Sequence, residues 1–110
     1  MDIKVIEEQG SALLSLGGDV DLSCSPEARK AILETLDDGK NLLINLSEVT
    51  YIDSSGVASL VEGYQMAKKM KLEFALISVS EAVMNVLQLA RLDSVFPIYA
   101  TLEDYRQTTG

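Results

Sequence analysis

The stretch NLLINLSEVTYIDSSGVASLVEGYQMAKK, residues 41–69, changes its hydrophobic period midway, and that change decides the fold. Its first six residues form a short apolar run suited to a strand buried on both faces. Its second half sets Val57, Leu60, Val61, Tyr64 and Ala67 at helical spacing, which gives one apolar helix face. Between the two lies Asp53-Ser54-Ser55-Gly56. A strand handing over to a helix through a polar turn is half of a βαβ unit, and in open α/β sheets sites gather at such carboxyl ends.

The same alternation recurs outward. Downstream, LEFALISV (residues 72–79) predicts a second buried strand, SEAVMNVLQLARL a helix and VFPIY a further strand. Upstream, SPEARKAILETLDDG has a helix start at Ser25-Pro26, apolar positions at Ala28, Ala31, Ile32 and Leu36, and a stop at Gly39. Crossovers of helical length return the chain in the same direction with right-handed sense, so these strands are expected to be parallel. The opening IKVIEEQGSALLSLGG predicts an antiparallel hairpin, turning at Gln9-Gly10 and ending its second strand at Gly17-Gly18. Pro97 removes a ladder donor, which assigns VFPIY to a sheet edge. A short final helix is expected at TLEDYRQ, with Thr101 as N-cap and Asp104 three residues on. The expected fold is thus α/β, a mixed and mostly parallel sheet with an N-terminal hairpin and about four helices.

The 110 residues, 47% of them apolar, fit one domain with a real core, and no linker or repeat divides residues 1–110. A formal charge of -8 is the wrong sign for gripping nucleic acid or anionic lipid, so a charged partner surface is expected to be basic. With Cys24 alone there is no internal disulfide, and with no histidine the usual imidazole base and metal ligand are missing. The N-terminus lacks the pattern of a signal peptide, and no apolar run approaches the roughly 18 to 20 residues that cross a bilayer. The expectation is a cytoplasmic protein with no membrane insertion, no required cofactor and no metal.

At the junction the plainest reading is a helix cap supplied by Asp53 or Ser54. Three features suggest more. A hydroxyl in the first helical turn is exposed, and a phosphate there would meet the positive end of the helix dipole and free N–H groups. The outer face of the following helix carries Ala58, Ser59, Glu62 and Met66, a partly apolar strip on the expected solvent side. Asp19 and Asp21, which end the hairpin in GGDVD, are expected at the same rim as Asp53, where a phosphate would deepen an acidic surface.

Other chemistries fit poorly. A receiver domain needs clustered acids, a phosphoacceptor Asp and a Lys at strand ends, and NLLINLSE and ALISVSE do not supply them. Gly17-Gly18 leads into Asp-Val-Asp and not into the helix of a dinucleotide fingerprint. A serine hydrolase needs a histidine, and a lone cysteine without one is more often inert. No enzymatic activity is expected.

GGDVDLSCSPEARKAI, NLLINLSEVTYIDSSGVASL and VMNVLQLARLDSVFPIY, taken in this order, closely resemble the STAS domain (sulfate transporter and anti-sigma factor antagonist) in its free-standing bacterial form. The resemblance spans nearly the whole chain and rests on the Gly18-Asp19-Val20-Asp21 motif and the Asp53-Ser54-Ser55-Gly56 signature. It implies a partner switch. Antagonists of this kind bind an anti-sigma factor that is also a serine kinase, are released by phosphorylation of the first signature serine, and are restored by a PP2C-type phosphatase. The matching acceptor is Ser54. Asp21 and Asp53, Ser54, Ser55, Gly56 and Val57 are then expected at or near the kinase contact, with Ser55 serving local hydrogen bonding. Similar single-domain proteins are accessory subunits of lipid-transporting ABC systems, often with Thr at the first serine, so Ser54 favours the kinase-linked role.

Smaller features have bland readings. Gly63 inside the helix is read as tolerated, at a cost of roughly 1 kcal/mol relative to alanine. Lys68, Lys69 and Lys71 at the helix end are read as solvated and as complementing the dipole. Tyr51 is read as partly buried packing.

Overall fold

The period change is where a strand becomes a helix. The computed structural model describes residues 1–8 and 10–109. In chain order the elements are β1 (Asp2–Glu8), β2 (Ser11–Val20), α1 (Ser25–Asp37), β3 (Asn41–Ile52), α2 (Ser54–Lys69), β4 (Phe74–Ile77), α3 (Glu81–Leu89), β5 (Ile98–Tyr99) and α4 (Leu102–Thr109). The strands form one sheet in the order β1-β2-β3-β4-β5, with β1–β2 antiparallel and every other pair parallel. The mixed sheet, the hairpin and the four helices are as the residues predict.

Strands that neighbour each other in sequence order, joined by crossovers of one hand, put their helices on one side of the sheet. Here α1, α2 and α3 share that side. Their core is built on Leu14, Leu16, Leu42, Ile44, Leu46 and Leu76 of the strands, against Ile32, Leu36, Leu60, Val83 and Leu87 of the helices. Intervening strand residues point the other way. Leu43, Ala75 and Ile77 meet Tyr105 and Leu102 of α4, which covers part of the second face. This two-sided cover explains why FALI is apolar throughout and why Leu42, Leu43, Ile44 and Leu46 of NLLINL are buried on both faces.

Three expectations need correction. Gly17-Gly18 does not end β2; the strand continues to Val20. The pairing of β2 with β3 shifts register between Ser15 and Gly17 and again between Gly18 and Asp19, each time with an extra residue on β3. Gly18, at φ 80°, absorbs the bend without a side-chain penalty. The extension carries Asp19 and Val20 up beside Tyr51 and Ile52.

Gly63 is not a tolerated flaw. A Cβ there would lie 2.5 Å from Ile32 Cγ2 and 3.1 Å from Phe74 Cε2, so glycine is what allows α2 to approach α1 and β4. Tyr51, in turn, is exposed and not packed. The expected turn at Gln9-Gly10 falls partly outside the described residues. Pro97 stands just before the two-residue edge strand β5, and Thr101 Oγ1 accepts the Asp104 N–H at 3.0 Å to cap α4, both as expected.

Candidate functional site

The carboxyl ends of β2 and β3 form a rim, and the Asp53 carboxylate ties it together. Asp53 is the N-cap of α2 in extended backbone conformation. Its Oδ1 accepts the N–H of Ser55 at 3.0 Å, the hydroxyl of Ser55 at 2.6 Å and the N–H of Gly56 at 3.0 Å. Its Oδ2 reaches across to the loop after β2 and accepts the Leu22 N–H at 3.0 Å. The Asp53 N–H donates to the Val20 carbonyl at 3.2 Å. One side chain thus caps a helix and pins a neighbouring loop.

These bonds hold the Asp53 carboxyl below its ordinary range, the Ser55 hydroxyl contributing most and the Gly56 N–H next. Asp21 is lowered in the same way, first by the Ser23 hydroxyl and then by the Ser23 N–H, while the nearby Asp53 charge pushes in the opposite direction. Both acids are therefore anionic at neutral pH, and they are close enough to feel each other. Asp19 accepts the Thr50 hydroxyl at 2.9 Å on the same rim. The sequence expectation that Asp19, Asp21 and Asp53 share one rim matches this geometry.

Ser54 is the first residue of α2, and it is exposed. The cap is Asp53, not Ser54. Its hydroxyl makes no hydrogen bond to any described residue, in contrast to Ser55, which is half-buried and donates to Asp53. The expectation of free N–H groups for a phosphate does not extend to Ser55, Gly56 or Val57. Asp53 already holds the N–H of Ser55 and Gly56, and its own carbonyl accepts that of Val57. A group added to Ser54 would project outward and leave the cap intact.

Gly56 and Val57 are buried and shape the rim from beneath. A Cβ on Gly56 would stand 2.7 Å from Ile52 Cγ1 and 2.8 Å from the Val20 carbonyl oxygen, so the first turn of α2 rests directly on β2 and β3. The strip expected on the outer face of α2 is not one surface. Ala58 is exposed, but Ser59 is buried, with its hydroxyl donating to the Ser55 carbonyl at 3.2 Å and lying 3.4 Å from that of Ser25. Glu62 forms an ion pair with Arg29 of α1, and Met66 is half-buried against the core. The α1 helix covers this side of α2, which a period of 3.6 alone does not reveal.

Two exposed residues were not among the sequence candidates for the site. Leu22, in the loop after β2, is 73% exposed although its N–H is held by Asp53. Tyr51, 51% exposed, pairs in register with Asp19. The available signal for Leu22 was an apolar residue in a turn, outside any strand or helix period. Cys24 stands at the N-cap position of α1, half-buried, but its side chain does not cap the helix; its thiol donates to the Asp19 carbonyl at 3.1 Å. Among the described residues no group of three or more His, Cys, Asp or Glu side chains is placed to hold a metal ion, and no helix is long and apolar enough to cross a membrane.

Comparison with known proteins gives one consistent picture. A family model described as the STAS domain matches residues 2–105. The anti-sigma-F factor antagonist RsfB of Mycobacterium tuberculosis is 28% identical over 103 residues, covering 93% of this chain and 84% of that protein. The anti-sigma-B factor antagonist of Bacillus subtilis is 24% identical over 103 residues, covering 94% of each. The crystal structure of an anti-sigma factor antagonist from Mycobacterium paratuberculosis superposes with a TM-score of 0.84 at 28% identity, covering 97% of this chain and 92% of that one.

Proposed function

The chain belongs to the STAS domain family, and from that premise we propose that it is an anti-sigma factor antagonist, acting in the bacterial cytoplasm and switched by phosphorylation of Ser54. The relatives named above carry that description, and the extent of the match to them covers nearly the whole chain. The observation that carries the switch is the contrast between the two signature serines. Ser54 offers an exposed hydroxyl at the helix start, whereas the Ser55 hydroxyl is committed to Asp53.

In the unmodified state the rim formed by Asp19, Asp21, Asp53 and Ser54, with Leu22 and Ala58 alongside, docks on an anti-sigma factor with serine kinase activity. Its acidic character calls for a basic contact surface on that partner. Transfer of a phosphoryl group to the Ser54 oxygen adds roughly -1.5 to -2 charge beside two carboxylates that are already ionised. The N–H groups of Ser55 and Gly56 are taken by Asp53, so the new charge does not replace the existing cap. It changes the surface and leaves the fold, and the complex dissociates. A PP2C-type phosphatase restores the hydroxyl.

The test is affinity purification from the native cell with intact-mass analysis. Recovery of an ATP-binding anti-sigma kinase, with a fraction of the chain carrying one phosphate on Ser54, is the expected result. Ser54→Ala is expected to bind that partner constitutively and Ser54→Asp to bind about tenfold or more weakly. Recovery of a permease and its ATPase with Ser54 unmodified would replace this reading by a role in lipid transport.

A further inference from the structure

The outer side of β1 is an unpaired edge. It runs for seven residues without proline, and its register with β2 is continuous from Asp2 to Glu8, with no bulge to twist it away. Val5 and Ile6 in its middle are 45% and 54% exposed. We propose that β1 pairs antiparallel with β1 of a second copy of this chain, about a two-fold axis at Ile6, joining the two sheets into one.

Charge and strand overlap together select the occupant and the register. A two-fold axis normal to the sheet keeps each residue on its own face, so the opposed residue numbers must add to an even total. Centring on Val5 sets Asp2 against Glu8 twice. Centring on Lys4 opposes the two Lys4 ammoniums, and centring on Glu7 opposes the two Glu7 carboxylates. Like charges directly opposite are destabilising. Centring on Ile3 also opposes unlike charges, Asp2 and Lys4, but overlaps only three residues of the strand. Centring on Ile6 overlaps five, sets Lys4 against Glu8 of the second copy, twice by symmetry, and brings the two Ile6 side chains together. These residues share the sheet face that α4 partly covers, where Ile6, Glu8, Leu13, Leu43 and Leu102 line a groove of about 520 Å³.

The side chains are available for this. Lys4 makes no ion pair with any described residue. Glu8 accepts from Arg106 through Oε2 at 2.6 Å, which leaves Oε1 for the lysine. Glu7 is held by Lys40 at 2.6 Å, which lessens the cost of setting it opposite Val5. Strand pairing buries little area, and each copy carries a formal charge of -8, so the dimer is weak and concentration-dependent.

Sedimentation equilibrium of the full chain over a concentration series tests this. The parent is expected to show a reversible monomer–dimer equilibrium, with amide exchange in β1 slowing as concentration rises. Lys4→Glu and Glu8→Lys are each expected to weaken dimerisation by roughly tenfold or more, because two attractive pairs become repulsive. An equimolar mixture of the two variants is expected to recover the dimer, since the two carboxylates at positions 4 and 8 of one β1 then both face ammoniums, at positions 8 and 4 of the other, only in this register. A parent that stays monomeric throughout would overturn the proposal. So would a Lys4→Glu variant that dimerises like the parent, or a mixture that associates no better than its components.

Discussion

Gly63→Ala sets two effects of opposite sign against each other, and the structure decides between them. In an exposed helix interior the change would stabilise by about 1 kcal/mol, because alanine loses less backbone entropy on folding. At Gly63 the new Cβ would stand 2.5 Å from Ile32 Cγ2, where an ordinary carbon contact is about 3.5–4.0 Å. At least about 1 Å must be recovered. Ile32 is fully buried and β-branched, so its methyl cannot swing away within the helix, and Phe74 stands on the other side at 3.1 Å. The helices must therefore separate, and overpacking of this kind costs about 1–3 kcal/mol, with the shortness of the contact favouring the upper part.

The net expectation is destabilisation by about 1–2 kcal/mol, or a fall of about 5–10 °C in Tm for a domain of this size. Urea and thermal unfolding followed by far-UV circular dichroism read it directly. Ile32→Leu moves the branch from Cβ to Cγ and removes the offending methyl at similar volume. In the double variant Gly63→Ala with Ile32→Leu, a coupling of about 1 kcal/mol in the favourable direction is expected. A Gly63→Ala protein more stable than its parent would show that α1 and β4 leave room for the methyl and would return Gly63 to a merely tolerated position.

Two further outcomes follow from the rim. Gly56→Ala forces a Cβ against Ile52 Cγ1 at 2.7 Å and the Val20 carbonyl at 2.8 Å, so it is expected to lower stability by about 1–3 kcal/mol and to weaken partner capture at the same time; unchanged unfolding and binding would show that α2 does not rest on β2 as described. The Asp53 and Asp21 carboxyls are both held below their ordinary range in the folded chain, so the unfolded chain takes up protons first. Their contribution to stability is complete above the unfolded value near 4 and is lost as the pH falls through the folded values. Asp53→Asn is expected to be less stable than the parent at neutral pH and to converge on it in acid; parallel curves from pH 6 downward would remove Asp53 from the account.

The strand–helix alternation was legible because burial sets period. A strand covered on both faces is mostly apolar, as in FALI and in the leucines and isoleucine of NLLINL, and a helix on a sheet needs one stripe, as in α2. Ser25-Pro26 at a helix start and Thr101 as a cap are local chemistry, satisfied by neighbours a few residues away. The Asp-Ser-Ser-Gly signature located the rim for the same reason: Asp53 and Ser55 complete each other within one turn. What the sequence could not decide were relations between elements distant along the chain. That α1 covers the Ser59 side of α2, that Gly63 packs against Ile32, that β2 continues past Gly17-Gly18 to bring Asp19 to the rim, and that Leu22 is held outward by Asp53 all depend on contacts across 31 or more residues. Local pattern fixes which face of an element is apolar; only packing of whole elements fixes which neighbour covers it, because that choice is made by the summed shape of side chains no single stretch contains.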